Sequence, residues 1–211
     1  MHLILFGPYG CGKGTQARIF SEKYVLPIFS TGDELRRHMK EETEIGKKVA
    51  AIVASGGLAP DEIIMEITKE FIEKNTKGFI FDGLPRTLVQ AEAIDTLLKH
   101  YEIIPTRIWI DIPESLSLER QIGRKTCPKC RAIFPASYTS DVCGECQTPF
   151  ENRFENDKTV AQKRLEVFKQ EILPVLEMYE EKKLLTKIDG MMKVEEVTGH
   201  IENLIKKNDS N

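Results

Sequence analysis

No apolar run in this sequence approaches the roughly 18 residues that a membrane-spanning helix requires. Neither sign of charge dominates: 30 Lys and Arg stand against 33 Asp and Glu, for a net charge of −3. The first shortage argues against a helical membrane protein. The second argues against a broad nucleic-acid footprint and leaves room only for a local basic cleft. Residues 1–6, MHLILF, lack a charged n-region and are too short for a signal peptide. They read as a first buried strand, and the expected location is the cytoplasm, with no membrane and no nucleic acid as partner. Only five cysteines are present; in a reducing compartment they favour metal or chemistry over disulfides. What remains is 211 residues, 41% hydrophobic and 30% charged. That is enough for one unit with a buried core and room for an inserted lobe.

Short apolar runs alternate with longer helical patterns. Strands are expected at 3–6, 27–30, 79–82, 107–112 and 184–189, and helices at 12–24, 60–74, 87–99, 114–124 and 157–182. Such alternation implies right-handed crossovers and a parallel sheet covered on both faces, an α/β fold. In the last helix Val160, Leu165, Phe168, Ile172, Leu176 and Tyr179 make one apolar stripe, and Pro174 is expected to kink it. Two stretches break the alternation. Residues 31–75 read as helix after helix. Residues 125–156 hold four cysteines, three prolines and few aliphatic side chains, so something other than burial must hold them together. The polar end, KKNDSN, is expected to fray.

The stretch Gly7-Pro-Tyr-Gly-Cys-Gly-Lys-Gly-Thr15 follows the apolar Leu3–Phe6 and precedes a helical pattern. A G-x-x-x-x-G-K-G-T loop between strand and helix turns backbone N–H groups inward beside a helix N-terminus and so cradles phosphate. Gly10, Cys11, Gly12, Lys13, Gly14 and Thr15 would form the cradle, with Lys13 on the β/γ-phosphates and Thr15 supporting phosphate or Mg²⁺. The plainer alternative is a glycine-rich turn without a ligand, with Cys11 merely filling space.

Cys127-x-x-Cys130 and Cys143-x-x-Cys146 are separated by twelve residues. Four thiolates at this spacing can surround one Zn²⁺ tetrahedrally and close a structural site, which would supply folding energy to a lobe with almost no core. Fe²⁺ or Co²⁺ could use the same ligands. Two disulfides and four unrelated thiols are the competing readings.

Beyond the loop the chain carries STGDELR (Ser30–Arg36), GGLAPDEI (Gly56–Ile63), FDGLPRTLVQ (Phe81–Gln90), RQIGRKTC (Arg120–Cys127) and NRFENDKTVAQKRL (Asn152–Leu165). In this order and at these intervals they resemble the adenylate kinases, in the long form with a metal-binding lid. The likeness covers nearly the whole chain. It implies reversible transfer of the ATP γ-phosphoryl group to AMP, giving two ADP, with Mg²⁺. It also implies a five-stranded parallel P-loop core (1–30, 61–121 and 159–211), an all-helical AMP lobe (31–60) and a metal-stapled lid (122–158), acting as a monomer. Arg36 and Arg86 would hold the AMP phosphate. Arg124, Arg153 and Arg164 would clamp the ATP phosphates and the group in flight, and Arg120 would stack on the ATP adenine. Arginine suits this work because its planar fork binds phosphate oxygens in pairs and stays charged. Asp82 would bind Mg²⁺ through water, with a turn cap at the strand end as its other reading. Asp33 would assist, or cap a helix over 33–40. Thr31 and Gln90 would bond the AMP adenine, Leu58 and Ala59 would offer main chain, and Gly83 would let the phosphate approach. Thr31 is also a natural N-cap.

Several positions depart from the family pattern. Tyr9 stands where proline is usual, Leu84 where phenylalanine is common, and Met192 where a lysine often lies near the ATP adenine, a contact made largely by main chain. Glu155 and Asn156 replace two aspartates that help order the lid. The rivals are a GTP:AMP phosphotransferase, a UMP/CMP kinase, which usually has a short lid, and a regulatory P-loop NTPase with a zinc-ribbon binding module. The last would leave Arg36, Arg86 and Gln90 without purpose.

Overall fold

The computed structural model describes residues 1–130, 132–150 and 158–209. From the N-terminus the chain forms β1 (His2–Phe6), α1 (Lys13–Tyr24), β2 (Ile28–Ser30), α2 (Thr31–Lys40), α3 (Glu44–Ala54), α4 (Asp61–Lys74), β3 (Phe79–Asp82), α5 (Leu88–His100), β4 (Thr106–Asp111) and α6 (Glu114–Gln121). There follow β5 (Lys125–Thr126), β6 (Ile133–Phe134), α7 (Lys158–Val167), a π-helical turn (Phe168–Ile172), α8 (Leu173–Glu181), β7 (Thr186–Asp189) and α9 (Val194–Asp209).

The sheet follows from alternation along its strands. Leu3 and Leu5 point to one face of β1 and Ile4 and Phe6 to the other, each essentially buried. The first face continues through Ile80, Ile108, Ile110 and Ile188 and is covered by Phe20 of α1 and by Val197, Ile201 and Ile205 of α9. The second is aromatic: Phe79 and Phe81 stack at 4.5 Å, and Phe29 and Phe71 pack beside them. Burial on both faces is the mark of a parallel sheet. Apart from β5 and β6, which form a separate antiparallel pair, every strand pair is parallel, in a five-stranded sheet of order β2-β3-β1-β4-β7. The carboxyl ends of β1 and β3 therefore lie side by side, with Leu5 opposite Asp82. The loop after each strand opens at this edge, where ligands bind in open α/β sheets.

Between β2 and β3 the chain is wholly helical, as expected, with Thr43 capping α3 by accepting from the Gly46 N–H at 3.1 Å. Three expectations are refined. The long helix is interrupted at Pro174, as expected. The interruption takes the form of a π turn over Phe168–Ile172, in which the Leu173 N–H bonds to the Phe168 carbonyl. Proline has no N–H and crowds the preceding turn, so a wider turn accommodates it. Helix α9 runs to Asp209, anchored to the sheet by Ile201 and Ile205; residues 210 and 211 of the KKNDSN end lie outside the described residues. The third concerns Thr31 and Asp33. Helix α2 begins at Thr31, so Ser30 is its N-cap residue and Asp33 lies within the first turn; neither Thr31 nor Asp33 caps it.

Candidate active site: a phosphate loop facing a cluster of arginines

Gly7 leaves β1 with φ 141°, and a Cβ there would lie 2.1 Å from the Ile110 carbonyl oxygen, so the loop can pass β4 only with glycine. Gly12, at φ 104°, caps α1, whose N-terminus opens onto the site. Lys13 Nζ donates to the carbonyls of Gly7 and Pro8 at 2.7 and 2.9 Å. These are backbone acceptors that phosphate oxygens can replace. Cys11 is buried against Gly7, the space-filling role, with Lys13 Nζ 3.6 Å from its sulfur.

The loop forms one wall of a cavity of about 820 Å³. Arg36, Arg86, Arg120, Arg124 and Arg164 line it from α2, the turn after β3, the end of α6 with the segment beyond it, and α7, together with Lys13, Asp33 and Asp82. With Arg18 of α1 also on the lining, seven cations from five stretches of sequence converge on one space. Arg86 is fixed by Nε donating to the Gly83 carbonyl at 2.7 Å and Nη1 donating to the Tyr9 hydroxyl at 3.1 Å. Arg36 Nη2 pairs with Asp33 Oδ1. Arg120 Nη1 donates to the Gly10 carbonyl at 3.2 Å. Burial raises the Asp82 carboxyl above its ordinary range, and nearby Asp33 adds to this, outweighing the pull of Lys13, Arg86 and Arg124.

At the other end, beside α2 and α4, the lining turns apolar, with Leu35, Val53 and Ile64 alongside Leu58 and Ala59. Thr31 Oγ1 is buried there with no hydrogen-bond partner among the described residues. Gln90 is buried too; its Oε1 accepts from the Arg86 N–H at 2.8 Å and its Nε2 donates to Asp61 Oδ1 at 2.7 Å. Each of these atoms keeps a second lone pair or hydrogen for a ligand. Met192 also lines the pocket, whereas Gly83 is not on its lining; a Cβ at Gly83 would lie 3.5 Å from the Lys13 and Arg86 side chains. Arg153, Glu155 and Asn156 lie outside the described residues.

The segment 122–150 closes over the loop: Ile133 lies 3.5 Å from where a Gly14 side chain would begin, and Phe134, Pro135 and Ala136 line the cavity. In this segment the sulfurs of Cys127, Cys130, Cys143 and Cys146 lie within 4.8 Å of one another and none is in a disulfide. Zn–S bonds of about 2.3 Å in a tetrahedron put sulfurs about 3.8 Å apart, so the four fit a metal with small adjustment. The N–H groups of Cys130 and Glu145 point at Cys127 and Cys143 sulfurs, both at 3.4 Å, as thiolates favour. Burial pushes the Cys130 thiol up to about 12, whereas bonds from Thr148 bring Cys146 down to about 6. A central cation would favour the thiolate at all four.

Two features escaped sequence reasoning. Phe134, Tyr138 and Phe150 form a small aromatic core beside the sulfurs, with centroids 4.3–6.0 Å apart. Three aromatic residues in a segment poor in aliphatic ones were its signal. Arg18 of α1 grips Glu145, between the last two cysteines, through two bonds of 2.6 and 3.2 Å. No local pattern announces a pair 127 residues apart.

The chain matches the family described as "Adenylate kinase" over residues 5–184. It is 38% identical over 212 residues to an adenylate kinase of Clostridium tetani (strain Massachusetts / E88), covering 97% of this chain and 98% of that protein. It is also 38% identical over 214 residues to an adenylate kinase of the archaeon Archaeoglobus fulgidus, covering 98% and 99%, and 35% identical to that of Clostridium novyi (strain NT) over 98% and 99%.

Proposed function

The chain belongs to the adenylate kinase family, and from that premise we propose how its own residues divide the work. As an adenylate kinase it is a phosphotransferase that moves the terminal phosphoryl group of ATP to AMP, reversibly, giving two ADP. The observation that carries the assignment of residues is the convergence of Lys13 and six arginines on one cavity with two unlike ends.

Phosphoryl transfer asks the protein for little covalent chemistry. Positioning and electrostatic stabilisation do the work. The backbone amides of the loop and Lys13 receive the donor phosphates, Lys13 exchanging its bonds to Gly7 and Pro8 for phosphate oxygens. Arg120 flanks the donor base, with Met192 across the cavity. Arg124 and Arg164, with Arg153, gather charge around the group in flight. Arg86 and Arg36 hold the acceptor phosphate, and Gly83 lets it approach the backbone. The acceptor adenine slides between Leu35, Val53 and Ile64, where the unpaired Thr31 hydroxyl and the spare capacity of Gln90 meet its polar edge. The helical stretch 31–60 is thus the acceptor lobe and 122–158 the lid, with 1–30, 61–121 and 159–211 as core.

Mg²⁺ arrives with ATP and neutralises charge on its phosphates. Asp82, and Asp33 beyond it, would hold that ion through water; both carboxyls line the cavity together with Lys13. The four cysteines would hold a structural Zn²⁺, with no open position for substrate. The free cysteines suit the reducing cytoplasm, and a monomer remains the proposed state. No described helix is long and apolar enough to cross a membrane.

The test is phosphoryl transfer from ATP to AMP, GMP, CMP and UMP, repeated with GTP as donor. ADP formation with AMP alone supports the acceptor site, and the GTP series settles donor breadth. Arg86→Ala should lower turnover by about 10²–10³-fold with little change in melting temperature. Unchanged turnover would remove Arg86 from the acceptor site.

A further inference from the structure

Lys13, Arg86 and Arg164 come from three separate stretches, and their like charges repel. Tyr9 lies among all three. Its ring centroid is 4.9 Å from Arg164 Cζ, 5.8 Å from Arg86 Cζ and 5.8 Å from Lys13 Nζ, all within reach of a cation–π contact. Its hydroxyl also accepts from Arg86 Nη1 at 3.1 Å. With Arg86 Nε committed to the Gly83 carbonyl, two of the three guanidinium nitrogens are fixed, one by backbone and one by the phenol, leaving Nη2 to a ligand. The Tyr9 backbone is held independently, its carbonyl accepting from the Ser117 hydroxyl at 2.7 Å. The side chain can therefore be changed while that anchor of the loop stays in place.

We propose that Tyr9 is a positioning residue for the acceptor phosphate. Its hydroxyl and π face hold Arg86, the acceptor-phosphate ligand, and the same π face holds Arg164 beside the group in flight, before nucleotide arrives. The incoming phosphate then meets an aligned fork instead of having to gather two mobile side chains. Proline, with neither a π face nor a hydroxyl, could supply no such contact. The inference rests on the reading of Arg86 as an acceptor-phosphate ligand, and it predicts an effect on AMP more than on ATP.

The test is steady-state kinetics of Tyr9→Phe and Tyr9→Leu beside the unaltered enzyme, varying AMP and ATP separately. Tyr9→Phe loses only the hydroxyl and should raise KM for AMP about 3–10-fold, with a clearly smaller rise for ATP. Tyr9→Leu loses the π face as well and should also lower kcat, by about tenfold. Equal shifts for both nucleotides, or none, would reduce Tyr9 to loop packing and overturn the proposal. Should Tyr9→Leu fail to fold, Tyr9→Phe, which keeps the ring, decides alone. An unaltered enzyme that makes no ADP from AMP would instead defeat the functional reading itself.

Discussion

The sheet and the lid of this protein are held together by different means. In the sheet, β1 places four consecutive buried side chains alternately on two faces, and Phe79, Ile80 and Phe81 of β3 continue both. Burial alone explains its order. In the lid, the buried cluster comprises Cys127, Ala132 and Cys143, with Phe134 and Phe150 packed against it. That is little apolar area to set against the entropy of ordering some thirty residues, so on the proposed reading the four thiolates and a cation they would hold supply its coherence. The pocket sits where the two meet. The sheet edge carries the phosphate loop, and on the same reading the segment above it acts as a cover that opens and shuts.

The difference can be broken first from the core side. Phe81→Ala removes a ring buried against Phe29, Phe71 and Phe79. It should cost about 3–5 kcal/mol and lower the melting temperature of the whole chain in chemical denaturation or calorimetry. Cys127→Ser should act differently. It should release the metal and cut ADP formation by about 10–100-fold, while the far-UV signal of the sheet and its helices keeps most of its thermal transition. A uniform collapse would mean that the lid supports the core.

A smaller effect sharpens the contrast between stability and function within the pocket. Burial raises the folded-state pKa of Asp82 above its ordinary value, so the native state binds this proton more tightly than the unfolded chain. The resulting cost is absent in acid, grows as pH rises through the raised pKa, and is complete above it. Asp82→Asn should therefore raise the melting temperature at neutral pH, by about 2–4 °C for each kcal/mol recovered. That gain should vanish in acid, and Mg²⁺-dependent turnover should fall. Equal stability of the two proteins at every pH would mean that the carboxyl carries no such cost.

Much of this was legible from residues alone. Leu3–Phe6 and Phe79–Asp82 announced buried parallel strands because a strand covered on both faces is apolar at every position. The glycine loop and the paired Cys-x-x-Cys motifs announced themselves because their chemistry fixes local spacing. Helix α9 was overlooked, although Val197, Ile201 and Ile205 are spaced by four, because Gly199 and a dense polar face dilute the stripe. Thr31 looked like a cap because its residue type favours one, but the strand-to-helix turn comes one residue sooner. What could not be read were contacts made by closure: the Arg18 grip on Glu145, and the place of Tyr9 among three cations. Those depend on how distant segments meet, which no local spacing encodes.

The most direct test of this division is amide hydrogen exchange on the metal-loaded and chelator-stripped enzyme. It follows the amides of Cys130, Cys143 and Glu145 beside those of Leu5, Ile80 and Ile108. Stripping should abolish protection at the three lid amides and leave the three strand amides as slow as before. Loss at both sets, or at neither, would contradict a lid held by its metal and a core held by burial.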